Sequence, residues 1–308
     1  MRLSRRLALG AMALALVISA CSSGGGSKPT IKIGSVGFAE AKVMAEVYAQ
    51  ALEAKGFTVN RDGFGLGQRP VVAPAIESGQ IEMQPEYIGS RLAYEGGASG
   101  PDSQTNWTSL QAKLTAKNMT VLNYTPAIDT NAFVVRQDTA TQFDLSKMSD
   151  LAAVQSQLKF GLATDCPTNA LCGAPGGALA QYGITADTIN AATLLSACDV
   201  PMADALKNNT VHVAELCSTQ PDILVNGWVV LTDDLHTQPA DDMAPIVRND
   251  YLAKLSSSDQ DLFRKTLNDV SAQVDTATLA DLYKQVDVDH KDLAEVAKAW
   301  LKSKGFVQ

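Results

Sequence analysis

The sequence predicts an α/β fold of two lobes joined by two crossing strands, and three observations carry this prediction. Short apolar segments alternate along the chain with amphipathic segments whose apolar residues recur at helical spacing. Residues 131–135 read as a strand that crosses to a second lobe, and residues 223–231 as the strand that returns. About 280 of the 308 residues follow an N-terminal leader, which is enough chain for two cores.

The first lobe is predicted from a regular alternation of strands and helices. Val43, Val47 and Leu52 fall on one face of the first helix, which ends at Gly56. Pro70 suits the first turn of the next helix. Strands are predicted at 31–35, 57–60, 80–84 and 120–124, and helices at 40–55, 70–78 and 105–117.

The second lobe repeats the same alternation before the chain returns. Strands are predicted at 160–163, 193–196 and 211–214, and helices at 178–182 and 202–207. A last helix at 291–304 carries an apolar stripe that places Trp300 in the core. We therefore assign residues 30–128 to the first part of lobe I, 129–225 to lobe II, and 226–308 to the rest of lobe I.

Residues 84–90 are the stretch most suggestive of a binding site. Pro85 cannot extend a hydrogen-bonded ladder, so we expect the strand to stop there and to leave Tyr87 at its end. Gly89 would allow close approach of the backbone, and Ser90 offers a hydroxyl. Ligands of open α/β sheets bind at the carboxyl ends of strands, so we predict Tyr87 and Ser90 as ligand contacts, with Gln68 at a nearby helix N-terminus.

Composition excludes several classes of function. Removal of residues 1–20 leaves 22 basic against 33 acidic residues, a net charge of −11, which argues against nucleic acid as a partner. The glycines of residues 63–67 do not match the dinucleotide-binding pattern, so we predict no cofactor. The three histidines show neither triad nor metal-ligand spacing, so we predict neither an enzyme nor a metal site.

The N-terminus predicts export and anchoring. Residues 1–6 carry three arginines, residues 7–18 are apolar but too short for a comfortable membrane span, and Cys21 follows small residues. With the Gly/Ser-rich tether at 21–29, this segment resembles a bacterial lipoprotein signal. The resemblance implies cleavage after residue 20, lipidation of Cys21, and a place on the extracytoplasmic face of the cell membrane.

Four further cysteines predict two disulfides, as is usual in an exported chain with an even number of them. Cys198 and Cys217 lie at the ends of apolar segments that flank one helix, as in two neighbouring parallel strands. We therefore favour Cys198–Cys217 with Cys166–Cys172 over the other two pairings.

Several segments, taken in order, resemble the substrate-binding protein of the osmoprotectant (glycine betaine/choline/carnitine) ABC importers. The resemblance covers residues 31–306 and rests on residues 34–35, 45–52, 85–89, 244–248, 285–288 and 291–292. It implies the type II periplasmic-binding-protein fold, in which two α/β lobes close on a solute. It also implies a monomer that delivers the solute to an ABC permease and its ATPase.

The resemblance implies that Tyr87 is one tyrosine of a cage around a quaternary ammonium group, held by cation–π attraction. The other three cage positions fall on Asn131, Cys217 and Asp241, and the arginine that pairs with a ligand carboxylate falls on Asn169. A lysine or polar position near the first strand falls on Val36, and we include Phe38 among the candidate contacts.

These departures concern the ligand rather than the fold. Asp241, Asp129 and Glu40 still favour a cation by charge, so the sequence predicts a betaine-like or other small cationic or zwitterionic solute. The alternative is a ligand-sensing or other surface binding protein with the same fold and a polar ligand unrelated to betaine.

The leader yields the first test. Replacement Cys21→Ala removes the thiol that would be lipidated, so we expect the protein to leave the membrane fraction and to keep its melting temperature. Fractionation followed by immunoblotting measures this. A variant that stays on the membrane after a high-salt wash would contradict the lipid anchor.

Overall fold

Two five-stranded sheets organise the chain in the computed structural model, which describes residues 28–196 and 198–308. The predicted leader and Cys21 lie outside the described residues. The strands are β1 Ile31–Val36, β2 Val59–Gly67, β3 Met83–Tyr87, β4 Met119–Val121, β5 Asn131–Val135, β6 Phe160–Ala163, β7 Thr193–Leu195, β8 Val213–Cys217, β9 Val229–Val230 and β10 Met243–Arg248.

The helices surround these sheets, and four of them (α6, α7, α8 and α11) span only four or five residues. They are α1 Ala39–Glu53, α2 Arg69–Ser78, α3 Ile88–Tyr94, α4 Ser103–Thr115, α5 Gln137–Phe143, α6 Leu151–Val154, α7 Ala178–Gln181, α8 Ala186–Asn190, α9 Val200–Lys207, α10 Pro221–Asn226, α11 Asn249–Leu252, α12 Ser257–Ser271, α13 Thr276–Asp287 and α14 Leu293–Ser303. No helix of the described residues is both long and apolar enough to span a bilayer.

Each sheet is mixed, and each is the centre of one lobe. The first has the order β2-β1-β3-β10-β4, with β10 antiparallel to both of its neighbours. The second has the order β7-β6-β8-β5-β9, with β5 antiparallel to both of its neighbours. We call the first sheet and its helices lobe I, and the second sheet with helices α5–α10 lobe II. The predicted two-lobed α/β fold is confirmed.

Helix α1 is the centre of the core of lobe I. It packs on β1 and β2 on one side and on α12, α13 and α14 on the other, so it is buried almost all round. Val43, Val47 and Leu52 have no exposed surface, and each contributes about 1.5–3 kcal/mol by leaving water. The hydroxyl of the equally buried Tyr48 lies 2.8 Å from that of Ser271 and ties α1 to α12.

Lobe II has apolar side chains on both faces of its sheet. Along β5, Phe133 and Val135 enter one core cluster, whereas Ala132 and Val134 enter another. Because side chains alternate between the faces of a strand, this division places one cluster on each face. The continuous apolar sequence of β5 follows from burial on both sides.

The crossing between the lobes differs from the prediction. Strand β5 lies wholly in the second sheet, and the chain crosses just before it, where Ile128 forms an antiparallel bridge with Asp242. The amide of Asp129 donates to the carbonyl of Asp241 at 3.1 Å. The two lobes are therefore joined by two paired segments.

The predicted return strand at 223–231 is wrong. Its first part belongs to helix α10, and only Val229–Val230 form a strand, which pairs with β5 in lobe II. Pro221 at the start of α10 and Gly227 in the left-handed conformation at its end outweigh the apolar composition between them. The return to lobe I therefore lies later in the chain than the predicted boundary at residue 226.

The expected strand end at Pro85 is also wrong, because Pro85 lies in the middle of β3 and faces Pro245 of β10. Strand β1 pairs with β3 only through Ile33 and Met83, so no ladder on that side needs an amide at residue 85. The carbonyl oxygen of Pro245 points towards β4 and accepts from the amide of Leu122, the residue after that strand, at 2.8 Å. Pro85 thus stands where the ladder does not need its missing N–H group, whereas opposite Pro245 the carbonyl of Leu122 accepts instead from the indole N–H group of Trp107 at 2.8 Å.

Both predicted disulfides are present. Cys166 is bonded to Cys172, and Cys198 to Cys217. Cys198 and Cys217 were expected at the ends of two neighbouring strands, but β6 lies between β7 and β8. The segment after β7 carries Cys198 to within 4.9 Å of Cys217, measured between Cα atoms.

This connectivity has a measurable consequence. The Cys198–Cys217 bond closes a separation of 19 residues, so we expect the double variant Cys198→Ser/Cys217→Ser to lose about 3 kcal/mol of unfolding free energy. Urea unfolding measures the loss, and peptide mapping without reduction checks the pairing in the parent protein. Four free thiols, or a bond between the two pairs, would contradict it.

Candidate functional site

Tyr87 lies where β3 ends and α3 begins, as the last residue of the strand and the residue that precedes the helix. Its side chain is only 4% exposed, and its hydroxyl donates a hydrogen bond to Glu40 in the first turn of α1. Burial, together with the neighbouring carboxyl of Glu40, holds the pKa of Tyr87 well above its ordinary value. The phenol therefore stays protonated and acts as a donor.

Glu40 is a buried carboxyl that three side chains approach. The residue is 5% exposed, and Thr219 and Asp129 form side-chain hydrogen bonds with it in addition to Tyr87. Thr219 and Asp129 lie close enough to affect its pKa, which burial raises and the hydrogen bond from Tyr87 limits. Since Thr219 follows β8, a residue of lobe II reaches this carboxyl of lobe I.

Asp129 lies in the first crossing segment and touches both lobes. The hydroxyl of Thr219 donates to its Oδ1 atom at 2.8 Å. Burial and the adjacent Glu40 raise the pKa of Asp129 well above its ordinary value. Two acidic groups therefore meet where the lobes meet.

Asp241, in the second crossing segment, is a third carboxyl near them. The amide of Ser90 donates to its Oδ1 atom at 3.0 Å, and the hydroxyl of Ser90 bonds its Oδ2 atom. A Cβ atom on Gly89 would lie 2.7 Å from the carbonyl oxygen of Ala240, so only glycine lets α3 approach this segment so closely. Burial raises the pKa of Asp241 to about 7, although the bonds from Ser90 oppose the rise.

The nearby basic group is already engaged. Arg69, at the start of α2, contacts the fully buried Glu86 at 3.0 Å. Glu86 also accepts from the side-chain amide of Gln84 at 3.0 Å. Arg69 therefore acts on Asp241, but its own partner is a fourth carboxylate. The three carboxyls make the site electrostatically favourable for a cation.

The other candidates from the sequence lie apart from this cluster. Asn131, opposite Cys217 in the β5–β8 pair, lines a lobe II cavity of about 170 Å³ that includes neither Tyr87 nor Glu40. The side-chain amide of Asn169 donates to Asp165 at 3.1 Å within its own loop. Side chains of two further candidates, Gln68 and Phe38, lie exposed just before α2 and α1.

The structure therefore brings together only part of the predicted set. Tyr87, Ser90 and Asp241 converge with Glu40 and Asp129, the two acids that the sequence indicated only by their charge. Thr219 was missed altogether. Its only signal was its position two residues after Cys217, at the end of a strand.

Comparison with known proteins shows the family of this chain. The family model described as the substrate binding domain of ABC-type glycine betaine transport systems matches residues 29–303. The glycine betaine-binding protein YehZ of Escherichia coli (strain K12) is 28% identical over 90% of this chain and 92% of its own. The carnitine transport binding protein OpuCC of Listeria monocytogenes is 24% identical over 95% and 94%.

Solved structures show the same fold. A glycine betaine/carnitine/choline ABC transporter chain superposes with a TM-score of 0.78 at 21% identity, covering 90% of this chain and 99% of its own. The apo form of YehZ from Escherichia coli superposes with a TM-score of 0.76 at 25% identity and the same coverage.

The raised pKa of Asp241 predicts how stability depends on pH. Because its pKa is near 7 in the folded protein and near 3.9 when unfolded, its contribution is complete below about pH 4 and is lost as the pH rises towards 7. We expect the melting temperature of the ligand-free protein to fall over this range, and less steeply in Asp241→Asn.

The control for this measurement is Asp281→Asn, which changes an exposed acid on α13. Its pH profile should follow that of the parent protein. Parallel profiles for Asp241→Asn and the parent would show that Asp241 is not the titrating group.

Proposed function

Since this chain belongs to the family of substrate-binding domains of ABC-type glycine betaine transport systems, we propose that it captures a small cationic or zwitterionic solute between its lobes. It then presents the solute to an ABC permease driven by its ATPase. The observation that carries this proposal is the group of three carboxyls beside Tyr87 at the junction of the lobes.

The crossing segments are suited to lobe closure. Ser218 of lobe II accepts from the amide of Thr130 at 3.0 Å and donates to the carbonyl of Ile128 at 2.9 Å. These bonds hold the loop after β8 beside the hinge, so rotation of lobe II about the Ile128–Asp242 bridge would move Thr219 relative to Glu40. A bound cation would stabilise the closed arrangement by offsetting the mutual repulsion of the acids.

The ligand set differs from a cage of tyrosines. Cys217 is held in a disulfide, and Asp241 is held by Ser90, so neither position offers an aromatic face. Asn169, at the position of the carboxylate-binding arginine, carries no charge. Loss of three rings at about 1 kcal/mol each would weaken a quaternary ammonium by about two orders of magnitude, so glycine betaine should be a weak ligand.

The proposed location is the outer face of the cell membrane. Cys21 would carry the lipid, and the Gly/Ser-rich segment behind it would act as a flexible tether for the two-lobed body. Such an arrangement would keep the protein near its permease.

Ligand binding tests the proposal. Titration calorimetry with small amines, betaines and polyamines should find a cation that binds, and Tyr87→Ala should weaken it at least about tenfold, because the variant removes both the ring and the donor to Glu40. Tyr94→Ala, which changes a tyrosine of α3 that is 45% exposed, is the matched control.

Two outcomes would contradict this placement of the site. One is a tight ligand whose affinity is the same in Tyr87→Ala and in the parent protein. The other is micromolar binding of glycine betaine, which would mean that Asn131, Cys217 and Asp241 are not lost cage positions.

A further inference from the structure

We propose that Glu40, Asp129 and Thr219 form a proton-dependent latch between the lobes, which is closed while the two carboxyls share a proton and opens when that proton is lost. The inference goes beyond the proposed function, because it concerns the position of the lobes in the absence of a solute. It follows from the contacts of these three residues, which come from lobe I, the first crossing segment and lobe II.

The two carboxyls of the latch require a shared proton. Glu40 and Asp129 form a side-chain hydrogen bond with each other, and two carboxylates without a proton have acceptors but no donor between them. One of the two acids therefore holds a proton, which belongs to the pair rather than to either residue. Burial and the neighbouring acid raise the pKa of Asp129 well above its ordinary value, so the pair keeps this proton above the pH range in which carboxyl groups usually titrate.

Thr219 connects the carboxyl pair to lobe II. Its hydroxyl donates to the Oδ1 atom of Asp129 at 2.8 Å, and its side chain also forms a hydrogen bond with Glu40. Thr219 is 1% exposed and Glu40 is 5% exposed, so little water reaches the carboxyl of Glu40 while the loop after β8 stays in place. Asp129 is only partly buried, which gives the proton a route to the solvent.

A second contact between the lobes lies beside the latch. Helix α10 of lobe II begins two residues after Thr219 and packs against α13 of lobe I. These helices bring further acids to the same place, since Asp222 of α10 and Asp287 of α13 act on Tyr283 together with Glu40 and Asp129. Negative charge on both sides would favour separation of the lobes once the pair is ionised.

The other charged and titratable groups around the pair do not replace its proton. Tyr87 of β3 donates its hydroxyl to Glu40 and stays protonated. Asp241 of the second crossing segment adds negative charge, which favours protonation of Glu40. Arg69 of α2 acts on Asp241 and contacts Glu86 at 3.0 Å. Neutralisation of the pair is thus left to the shared proton or to a bound cation.

Loss of the proton would place two negative charges in contact. Two carboxylates in contact cannot both stay ionised away from water, so they must separate or be hydrated. Hydration of Glu40 requires that the loop carrying Thr219 move away. Ser218 ties that loop to the first crossing segment by hydrogen bonds of 3.0 Å and 2.9 Å, so we expect the loop to move with lobe II about the bridge between Ile128 and Asp242.

Hydrogen exchange of the protein without added solute tests the latch between pH 5 and pH 9. The proton is present below the raised pKa of the pair and is lost as the pH rises through it, so exchange at residues 218–226 and 276–287 should increase together. After division by the intrinsic chemical rate, the increase should approach about tenfold per pH unit above that pKa, as expected for one proton. Amides of β5 and β8 should stay protected, which distinguishes lobe opening from unfolding.

The variant Asp129→Asn isolates the carboxyl pair. Its amide nitrogen donates to Glu40 without a titratable proton, and its amide oxygen still accepts from Thr219. We therefore expect exchange at both segments to stay slow over the whole pH range. Glu40→Gln keeps the same bonds from the other side and gives the same measurement where Asp129→Asn does not fold. Asp281→Asn, which changes an exposed acid of α13, is the matched control and should open like the parent protein.

The variant Thr219→Val should act in the opposite direction. It preserves the shape of the side chain but removes the hydroxyl that bonds both carboxyls. Since hydrogen bonds to charged groups contribute about 1.5 kcal/mol or more, exchange at both segments should be at least about tenfold faster than in the parent protein, even at pH 5.

The outcomes separate the latch from the proposed function. Exchange at the two segments that does not depend on pH in the parent protein would overturn the latch and leave the proposed function standing. An unchanged pH dependence in folded Asp129→Asn and Glu40→Gln would do the same. Opening that depends on pH in the parent protein and is lost in both variants would support the latch, even if none of the small amines, betaines and polyamines bound.

Discussion

The hydrogen bond from Tyr87 to Glu40 is the contact on which the arrangement of this site depends. It joins the end of a central strand of lobe I to the first turn of α1, the helix around which the core of that lobe is packed. Because both groups are buried, the bond holds a carboxyl where water cannot screen its electrostatic interactions. The neighbouring Asp129 and Thr219 are then placed against that carboxyl by the crossing segment and by lobe II.

The proposed site combines a family fold with a different set of side chains. At two positions where the resemblance implies rings of a cage, this chain has an acid bonded to Ser90 and a cysteine in a disulfide. A cage of rings attracts a cation without directing a hydrogen bond, whereas carboxylates attract it and also direct N–H groups. Under the proposed function, a change from rings to carboxylates would alter which cation fits while it leaves the lobes and their hinge intact.

The accuracy of the sequence-based prediction varied with how local its signals were. Strands β5 and β6 have the predicted bounds, because uninterrupted apolar segments of that length are typical of strands buried on both faces. Residues 223–231 have a similar composition, but Pro221 precedes them and Gly227 interrupts them, and they form a helix followed by a short strand. Pro85 led to the opposite error, because it predicted the end of a strand and instead lies inside β3. A proline is tolerated there because the pairing of β1 with β3 does not extend to residue 85.

By itself, the sequence determined the alternation of strands and helices, the acidic net charge, and the family, because each depends on residue type and order along the chain. It also pointed to Tyr87 and Ser90, which lie beside the three carboxyls. The tertiary structure alone decided that Glu40, Asp129 and Asp241 meet, since they come from a helix and two separate crossing segments. The contacts of Glu40 with Thr219 and Asp129 are likewise a property of the folded chain, because burial and the direction of every nearby donor are fixed only when the lobes pack together.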